Sequence, residues 1–299
     1  MPPATITVMD YGLCLPNFPA GASPEGIEAG AVVAEQLGWS TVWTTDHLMV
    51  PTADADEYGH IFEAILTLAW VGARHPGLRL GSSVIVVPQR NAVVLAKELA
   101  TLDALSGGRV IAGVGVGWNP VEFANLGAAA QFRLRGAYLD ETIRLWRHLW
   151  SGSGEPFHGR FHSFEDFTFS PLPVQVGGPQ ILVGGRSEPA LRRAGTLGDG
   201  YHSSAVGPTQ YGQRLATVRA AAEAAGRPMP SLSARVRVAF EAATSGYAMR
   251  GSPDEIAAEV RAFADLGVIH LALTFGTTDP AHLVTQAERF AREVAPLID

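Results

Sequence analysis

The dipeptide Asp46-His47 is the strongest candidate for acid–base chemistry in this sequence. A histidine side chain changes charge near neutral pH, so it can donate or accept a proton there, and Asp46 could orient it or stabilise its charged form. The alternative is a histidine that only caps the next segment. His202 follows a later β-branched run in the same way, with weaker neighbours, and is a second candidate that could contact a substrate.

The residues Gly184, Gly185, Arg186 and Ser187, followed by a predicted helix, have the pattern of an anion site. Glycines let backbone N–H groups approach a phosphate, Ser187 can bond an oxygen, and the N-terminus of a following helix attracts negative charge. An ordinary turn between a strand and a helix also favours glycine and serine. The motif alone therefore leaves a phosphate site and a plain turn open.

Three glycines, Gly113, Gly115 and Gly117, fall on one face of a predicted strand that leads into Trp118. Residues two apart in a strand share a face, and glycine inside a strand often marks a site where a ligand or another backbone approaches closely. A flat ring system lying on this face would account for the glycines. Close packing between strands is the competing explanation.

The sequence contains fewer residues that could support other kinds of catalysis. A retaining glycosidase pairs two carboxylates roughly 5 Å apart, and Glu122 with Glu241 is the weak candidate pair. A metal-dependent barrel hydrolase needs clustered histidines, but His158 and His162 lie in a Gly/Phe-rich segment where we expect them to be solvated. We expect no metal site, and a barrel that binds a ligand without catalysis stays open as an alternative.

Eight β-branched runs alternate with helical patterns along the chain, and these elements must position the candidate residues. The alternation predicts an α/β fold: a single (β/α)8 TIM barrel over residues 1–299, with an insertion at about 151–178 that forms a loop or short hairpin over one mouth of the barrel, before strand 5. A doubly wound sheet is the rival, but its Gly-rich fingerprint after the first strand is missing. The predicted strands are 6–13, 41–45, 78–86, 109–116, 180–184, 200–203, 232–240 and 268–275.

Composition excludes several classes of partner. The 299 residues include 22 Lys+Arg and 29 Asp+Glu, a net charge of −7, so the chain lacks the basic face that nucleic acid demands. No apolar run approaches the roughly 20 residues that span a bilayer, and the first residues do not resemble a signal peptide. With the single cysteine Cys14, no disulfide can form within the chain. We expect a cytoplasmic protein that acts on a small molecule.

Several motifs together resemble the luciferase-like (β/α)8 oxidoreductases, and most closely the branch that depends on the deazaflavin coenzyme F420. The segments that carry the resemblance are LGWSTVW at 37–43 leading to Asp46-His47, LGSSVIVVPQR at 80–90, GVGVGW at 113–118 and VGGRS at 183–187. The similarity runs from about residue 11 to about residue 202 and is only general beyond it.

The resemblance implies roles for individual residues. Asp46 and His47 would lie near the reactive ring, with His47 handling the proton, and Ser83-Val84 falls where the family has a non-proline cis peptide behind the ring. Trp118 stands where the sugar-phosphate dehydrogenases of the family have a catalytic glutamate, which argues against glucose-6-phosphate as substrate. The residues implied to line the cofactor are Ser83, Val84, Val86, Val116 and Gly117, and those implied to hold its phosphate are Gly184, Gly185, Arg186, Ser187 and Glu188.

The resulting hypothesis is an F420-dependent enzyme that transfers a hydride to or from a small organic substrate. The alternative is an FMN-dependent luciferase-like monooxygenase, and a retaining glycosidase is a remote one. Arg90 and Arg186 are the nearest candidates for the acidic tail of F420, while Trp118 and His202 are tentative substrate contacts. The aromatic insertion and Trp118 favour an apolar substrate that contains a ring. A homodimer is expected from the resemblance and from the apolar helices at 62–73 and 93–105.

Overall fold

In the computed structural model, which describes residues 9–19, 21–241 and 246–298, eight parallel strands form a closed barrel. The barrel closes because the first strand pairs with the eighth, Asp10 opposite His270, and the sixth pairs with the seventh, Gly200 opposite Ser231. The strands are β1 Asp10–Cys14, β2 Thr41–Thr44, β3 Arg79–Ser82, β4 Val110–Gly115, β5 Gln180–Gly184, β6 Gly200–Ser204, β7 Ser231–Ala239 and β8 His270–Thr274.

The predicted (β/α)8 barrel is confirmed, and the doubly wound sheet is wrong because the sheet has no open edge between β1 and β8. Most strand ends lie within two residues of the predicted ones, and larger differences concern the third and the first strand. The third predicted strand is interrupted after Ser82 and resumes as the short strand Ile85–Val86. The predicted first strand began at residue 6, and residues 6–8 lie outside the described part of the chain.

Helices cover the outside of the barrel, and local sequence signals explain where they begin. Asn91 and Ser252 cap two of them by accepting backbone N–H groups of the first turn, and the Ser252 cap is completed by Glu255. Gly107 ends the helix that Asn91 caps, in the left-handed conformation at φ 71°. The main helices are α1 Pro24–Gln36, α2 Ala64–Arg74, α3 Ala92–Ser106, α4 Arg135–Trp150, α5 Glu188–Leu197, α6 Pro208–Ala224, α7 Pro253–Asp265 and α8 Pro280–Glu293.

The core has two layers, because successive strand residues face opposite sides. On β2, Val42 belongs to the large apolar layer between strands and helices, whereas Trp43 belongs to a small cluster inside the barrel. The indole Nε1 of Trp43 donates to Nε2 of His270 at 3.1 Å, and His270 Nδ1 lies 2.8 Å from Asp10 Oδ2. The barrel interior is thus filled by side chains and includes hydrogen-bonded polar groups.

The insertion at 151–178 contains a short antiparallel hairpin, Phe157–His158 paired with Ser163–Phe164, as predicted. Its position differs from the prediction that it covers a mouth of the barrel. Glu141 of α4 accepts backbone N–H groups from the tip of the hairpin, and Lys97 of α3 donates to the carbonyl of Ser170. The insertion therefore lies along the outer helices, and its aromatic side chains give no information on the substrate. Within the described residues, no helix is both long and apolar enough to cross a membrane.

Candidate active site

His47 follows β2 and is bound to a buried carboxylate from a different strand–helix unit. Its Nδ1 lies 3.0 Å from Oε2 of Glu122, and Glu122 Oε1 accepts the backbone N–H of Leu48 at 2.8 Å. Glu122 lies in the first turn of the short helix Pro120–Asn125, which Asn119 caps. The exposed fractions of His47 and Glu122 are 7% and 1%. The fold thus joins a histidine and a glutamate that are 75 positions apart in sequence.

The surroundings of Glu122 keep its side chain ionised. Burial by itself raises the pKa of this carboxyl, but the hydrogen bonds from His47 and from the Leu48 N–H outweigh burial and bring the pKa to about 2. An ionised carboxylate only accepts hydrogen bonds, so Nδ1 of His47 carries a proton. The other ring nitrogen, Nε2, is then the one that can exchange a proton with a bound molecule.

Asp46 lies beside His47 in the chain but binds elsewhere. Its Oδ1 is 2.5 Å from Nη2 of Arg90, and its Oδ2 accepts the backbone N–H of Val86 at 2.9 Å. Arg90 also binds Glu63, at 2.7 Å. Asp46 therefore fixes the segment after β3, whereas Glu122 orients His47. Since two carboxylates already surround Arg90, its charge is not available for an acidic cofactor tail.

The segment after β3 rests on a buried polar network. The peptide between Ser83 and Val84 is cis, as the resemblance implied. Ser83 Oγ lies 2.9 Å from Nε2 of His202, and His202 Nδ1 lies 2.7 Å from Ser233 Oγ. The indole of Trp43 stacks on His202 with the ring centroids 4.9 Å apart. His202 therefore supports Ser83 from below, where it is shielded from a ligand.

His202 is a poor acid–base group in this position. Its exposed fraction is 2%, and burial, with smaller effects of His270 and Arg235, lowers its pKa to about 3. The ring is neutral at physiological pH. The expectation that His202 contacts substrate finds no support in the geometry, because the ring is buried and both of its nitrogens lie within hydrogen-bond distance of serine hydroxyls, those of Ser83 and Ser233.

The glycine row of β4 is explained by close packing. A Cβ at Gly113 would collide with the carbonyl oxygen of Ser82, and one at Gly115 would lie 2.6 Å from Cγ2 of Val84. Gly184 of β5 is equally close to Val84, at 2.8 Å from Cγ1. The side chain of Val84 thus fills the space above these glycines. A flat ligand would contact Val84, which is half-buried, rather than the glycines themselves.

Val86 and Gly117 extend this surface. A Cβ at Gly117 would lie 2.6 Å from Cγ1 of Val86, so the two residues are in direct contact. Val116 is half-buried and packs against the large core. We call the surface formed by Val84, Val86, Gly117 and Gly184 the platform. Sequence analysis assigned Val84, Val86 and Gly117 to the lining of the cofactor and Gly184 to its phosphate.

The loop after β5 leads from the platform to the start of α5. Gly185 has a φ of +131°, a conformation that favours glycine. Ser187 stands at the helix N-terminus, and within the described residues its side chain makes no capping hydrogen bond. Residues 185–189 are exposed, so the Ser187 hydroxyl and the backbone N–H of Glu188 are open to an anion, whereas Pro189 has no N–H and that of Ala190 donates to the carbonyl of Ser187 at 2.9 Å. Glu188 binds Arg192 at 2.6 Å, and its carboxylate would repel a phosphate.

Trp118 belongs to an aromatic group around His47 that sequence analysis did not detect. Tyr58 lies with its ring centroid 4.3 Å from that of His47, and Trp118 lies 6.1 Å from His47. Tyr58 also stacks on Phe18, with centroids 5.6 Å apart and an interplanar angle of 17°. Trp118 is 54% exposed. Aromatic rings therefore surround His47, the candidate for proton transfer.

A cavity of about 480 Å³ opens beside this aromatic group, at the ends of β1, β6, β7 and β8. Thr45 and Tyr58 connect it to His47, which lies close to both. The residues that define its chemical character are Phe18, Tyr58, Arg235, Arg237, Tyr247 and Phe275. A volume of this size accommodates a small organic molecule.

Arg235 was not among the predicted site residues, although β7 carried a signal. In the sequence Arg235-Val236-Arg237-Val238 the charged residues occupy alternate positions, and in a barrel strand that face points inward. Nη1 of Arg235 donates to Thr45 Oγ1 at 2.8 Å and to the carbonyl of Ser83 at 3.1 Å. It therefore ties the segments after β2 and β3 together across the mouth.

The glycosidase pair is wrong. Glu122 is buried against His47, whereas the side chain of Glu241 is 80% exposed and binds Arg289 of α8 at 2.7 Å. Because the two carboxylates are engaged with different partners in different surroundings, they do not face a common site.

A barrel with a candidate proton-transfer histidine, a platform and a candidate anion loop at the carboxyl ends of its strands has the features of a cofactor-dependent (β/α)8 enzyme. Residues 9–245 match the family described as luciferase-like monooxygenase. The chain belongs to this family and is an oxidoreductase, as the sequence motifs indicated.

Individual relatives agree with this assignment. The chain is 28% identical to an F420-dependent glucose-6-phosphate dehydrogenase of Kineococcus radiotolerans, over 90% of this chain and 91% of the relative. It is 32% identical to an enzyme of the same description from Mycolicibacterium fortuitum, over 72% of this chain and 64% of the relative. An F420-dependent secondary alcohol dehydrogenase, solved with an F420-acetone adduct, has the same fold, with a TM-score of 0.81, 16% identity and coverage of 97% and 99%.

Proposed function

We propose that this oxidoreductase transfers a hydride between coenzyme F420 and a small organic substrate, with His47 as proton donor or acceptor. The observation that supports the proposal is the buried contact between His47 and Glu122, because an imidazole oriented by a carboxylate is suited to proton transfer. The choice of F420 is supported by the relatives, which are described as F420-dependent dehydrogenases.

The described residues fit a cofactor that joins a flat ring to a phosphate. Gly184 supports Val84 from below and directly precedes Gly185, so the platform and the anion loop are continuous. The ring would lie on the platform, and the Ser187 hydroxyl with the backbone N–H of Glu188, the first residue of α5, would bind the phosphate. Arg186 is exposed beside them and remains the candidate for the acidic tail.

F420 supplies a ring carbon that donates or accepts a hydride, and the chain must supply the matching proton transfer. Glu122 stabilises a positive charge on His47 as its ring takes up a proton, and it holds the ring with Nε2 free to reach a substrate oxygen. The rings of Tyr58 and Trp118 restrict the access of water to this nitrogen.

The substrate we propose is an apolar compound rather than glucose-6-phosphate. Trp118 occupies the position directly after Gly117 where the resemblance places a catalytic glutamate, and Glu122 is committed to His47. Aromatic side chains, Phe18 and Tyr58 among them, form much of the cavity wall. Such walls suit a molecule with an extended apolar surface.

The cofactor assignment is tested by titrating the purified protein with F420 and with FMN in a calorimeter. We expect micromolar or tighter binding of F420 and much weaker binding of FMN. The opposite order, with oxygen consumed in the presence of reduced FMN, would make the protein a flavin monooxygenase, the activity described for a neighbour of the same fold from Pseudomonas putida.

We also propose that the protein is a homodimer. Leu66 and Trp70 lie one turn apart on α2 and are 71% and 40% exposed, and with Ile27 and Phe62 they line an apolar groove of about 300 Å³. Exposed apolar patches on enzymes often mark subunit interfaces. Light scattering is expected to give twice the 31.6 kDa chain mass. A monomer mass at micromolar concentration, or a dimer that survives Leu66→Glu, would contradict this interface.

A further inference from the structure

We infer that Arg235 and Arg237 form an anion subsite in the 480 Å³ cavity, and that the substrate is a largely apolar molecule with one carboxylate or similar anionic group. This inference deepens the proposed function, since it specifies the class of substrate that the same site accepts.

The two guanidinium groups are placed on one face of β7. Residues two apart in a strand point to the same side, and both arginines line the cavity and are half-buried. Their backbone register sets Arg235 opposite Ala272 and Arg237 opposite Thr274 of β8, so Arg237 lies one step nearer the open mouth. The pair thus extends from the floor of the cavity towards solvent.

Neither arginine is neutralised by a carboxylate within the described residues. Arg235 binds only neutral groups, Thr45 and the carbonyl of Ser83, and its guanidinium lies 5.6 Å from the ring centroid of Phe18. For Arg237, the described part of the chain provides no hydrogen bond or ion pair. Residues 242–245, which lie outside the described part of the chain, are Ala-Ala-Thr-Ser and contain no acid.

Comparison with Arg90 shows why the lack of a carboxylate partner at Arg235 and Arg237 among the described residues is informative. Arg90 is also half-buried, and two carboxylates surround it. A half-buried guanidinium has lost part of its hydration, so leaving it unpaired is costly unless a ligand supplies the anion. The only acidic residue in the described lining is Glu57, which is exposed. In a protein of net charge −7, the cavity carries a local positive charge.

The position of Arg237 is confined by the chain around it. Gly276, in the loop after β8, passes so close that a Cβ there would lie 2.7 Å from Nη2 of Arg237. A guanidinium held in this way loses little freedom when it binds a carboxylate through two parallel hydrogen bonds. Phe18, Tyr58 and Phe275 leave aromatic surface for the remainder of the molecule.

The anion could instead belong to the cofactor, whose phosphate and glutamate tail are also negative. The location of the cavity indicates that the anion belongs to the substrate, because the described lining does not include the anion loop at 184–188, where the phosphate is expected. The experiment therefore separates the two sources.

The first arm uses cinnamate and cinnamamide as probes, which have nearly the same shape and differ in charge. Calorimetry on the full-length protein without cofactor is expected to show cinnamate binding at least tenfold more tightly. Arg237→Gln should weaken cinnamate by about tenfold to a hundredfold and leave cinnamamide unchanged. Arg237→Lys keeps the charge and should retain part of the preference, and Arg219→Gln, at an exposed arginine on α6, is the matched control.

The second arm titrates wild-type and Arg237→Gln proteins with F420 and with the deazaflavin that lacks the phosphate and tail. We expect Arg237→Gln to bind both like wild type, which also shows that the variant is folded. A selective loss of F420 would assign the anion to the cofactor and overturn the inference. Equal binding of cinnamate and cinnamamide, binding of neither, or a preference that survives in Arg237→Gln would overturn it too. Because the first arm contains no cofactor, its result stands even if F420 does not bind.

Discussion

Glu122 holds the imidazole of His47 through a contact of 3.0 Å between Oε2 and Nδ1, and both side chains are almost completely buried. The pair connects the loop after β2 with the short helix after β4. This contact leads to the first two predictions.

Glu122→Gln is expected to reduce turnover by about 100-fold while F420 still binds. An amide does not stabilise the positive charge that His47 acquires when it takes up a proton, and it can present its NH2 group to Nδ1, which selects the wrong tautomer. Steady-state kinetics measures the loss of turnover, and titration with F420 shows whether the cofactor still binds. Glu241→Gln, which removes an exposed carboxylate bound to Arg289, is the control and should leave turnover unchanged.

His47→Ala is expected to reduce turnover by roughly 100-fold or more, the size typical of a general acid–base group, with F420 affinity retained. The double variant with Glu122→Gln should be hardly slower than His47→Ala alone, because the carboxylate acts through the histidine. If turnover in His47→Ala were unchanged, solvent would have to donate or accept the proton, since His202 is buried and neutral.

His202 is expected to make the protein less stable in mild acid. Its folded-state pKa of about 3 lies below the ordinary value of 6.5, so the unfolded chain binds the extra proton between these limits. Stability is fully present above pH 6.5 and is lost as the pH falls towards 3, by about 2 kcal/mol at pH 5. Urea unfolding at several pH values measures this slope.

The matched variants for that measurement are His202→Gln and His158→Gln. His202→Gln should flatten the dependence between pH 5 and 6.5, whereas His158→Gln, at a side chain that is 60% exposed, should leave it as in wild type. A slope that persists in His202→Gln would show that another group takes up the proton.

Gly115→Ala is expected to destabilise the protein by about 1–3 kcal/mol and to weaken F420 binding. The added methyl would lie 2.6 Å from Cγ2 of Val84, so it must displace the platform. Gly154→Ala adds the same methyl where no atom lies within 4 Å, and it should change stability by less than about 0.5 kcal/mol. Urea unfolding and F420 titration of both variants test the role of Val84, and equal effects would contradict it.

The barrel could be predicted because strand and helix periodicities are local properties of the sequence. The partners of charged side chains could not, because they depend on which strand ends meet in space. Asp46 adjoins His47 in sequence, yet it binds Arg90, whereas Glu122 reaches His47 from another unit. The glycines of β4 illustrate the same limit: their spacing indicated a close approach, but only the fold shows that Val84 makes it.

The location of the insertion at 151–178 bears on how the enzyme can be modified. Its hairpin lies on the outside of α4, anchored by Glu141, and the exposed turn at Gly154 touches no neighbouring side chain within 4 Å. Exposed turns of this kind tolerate added residues. A peptide tag or fluorescent reporter inserted there is expected to leave catalysis intact. The turn is therefore a suitable attachment point for immobilising the enzyme, since the mouth of the barrel with the candidate active site stays accessible.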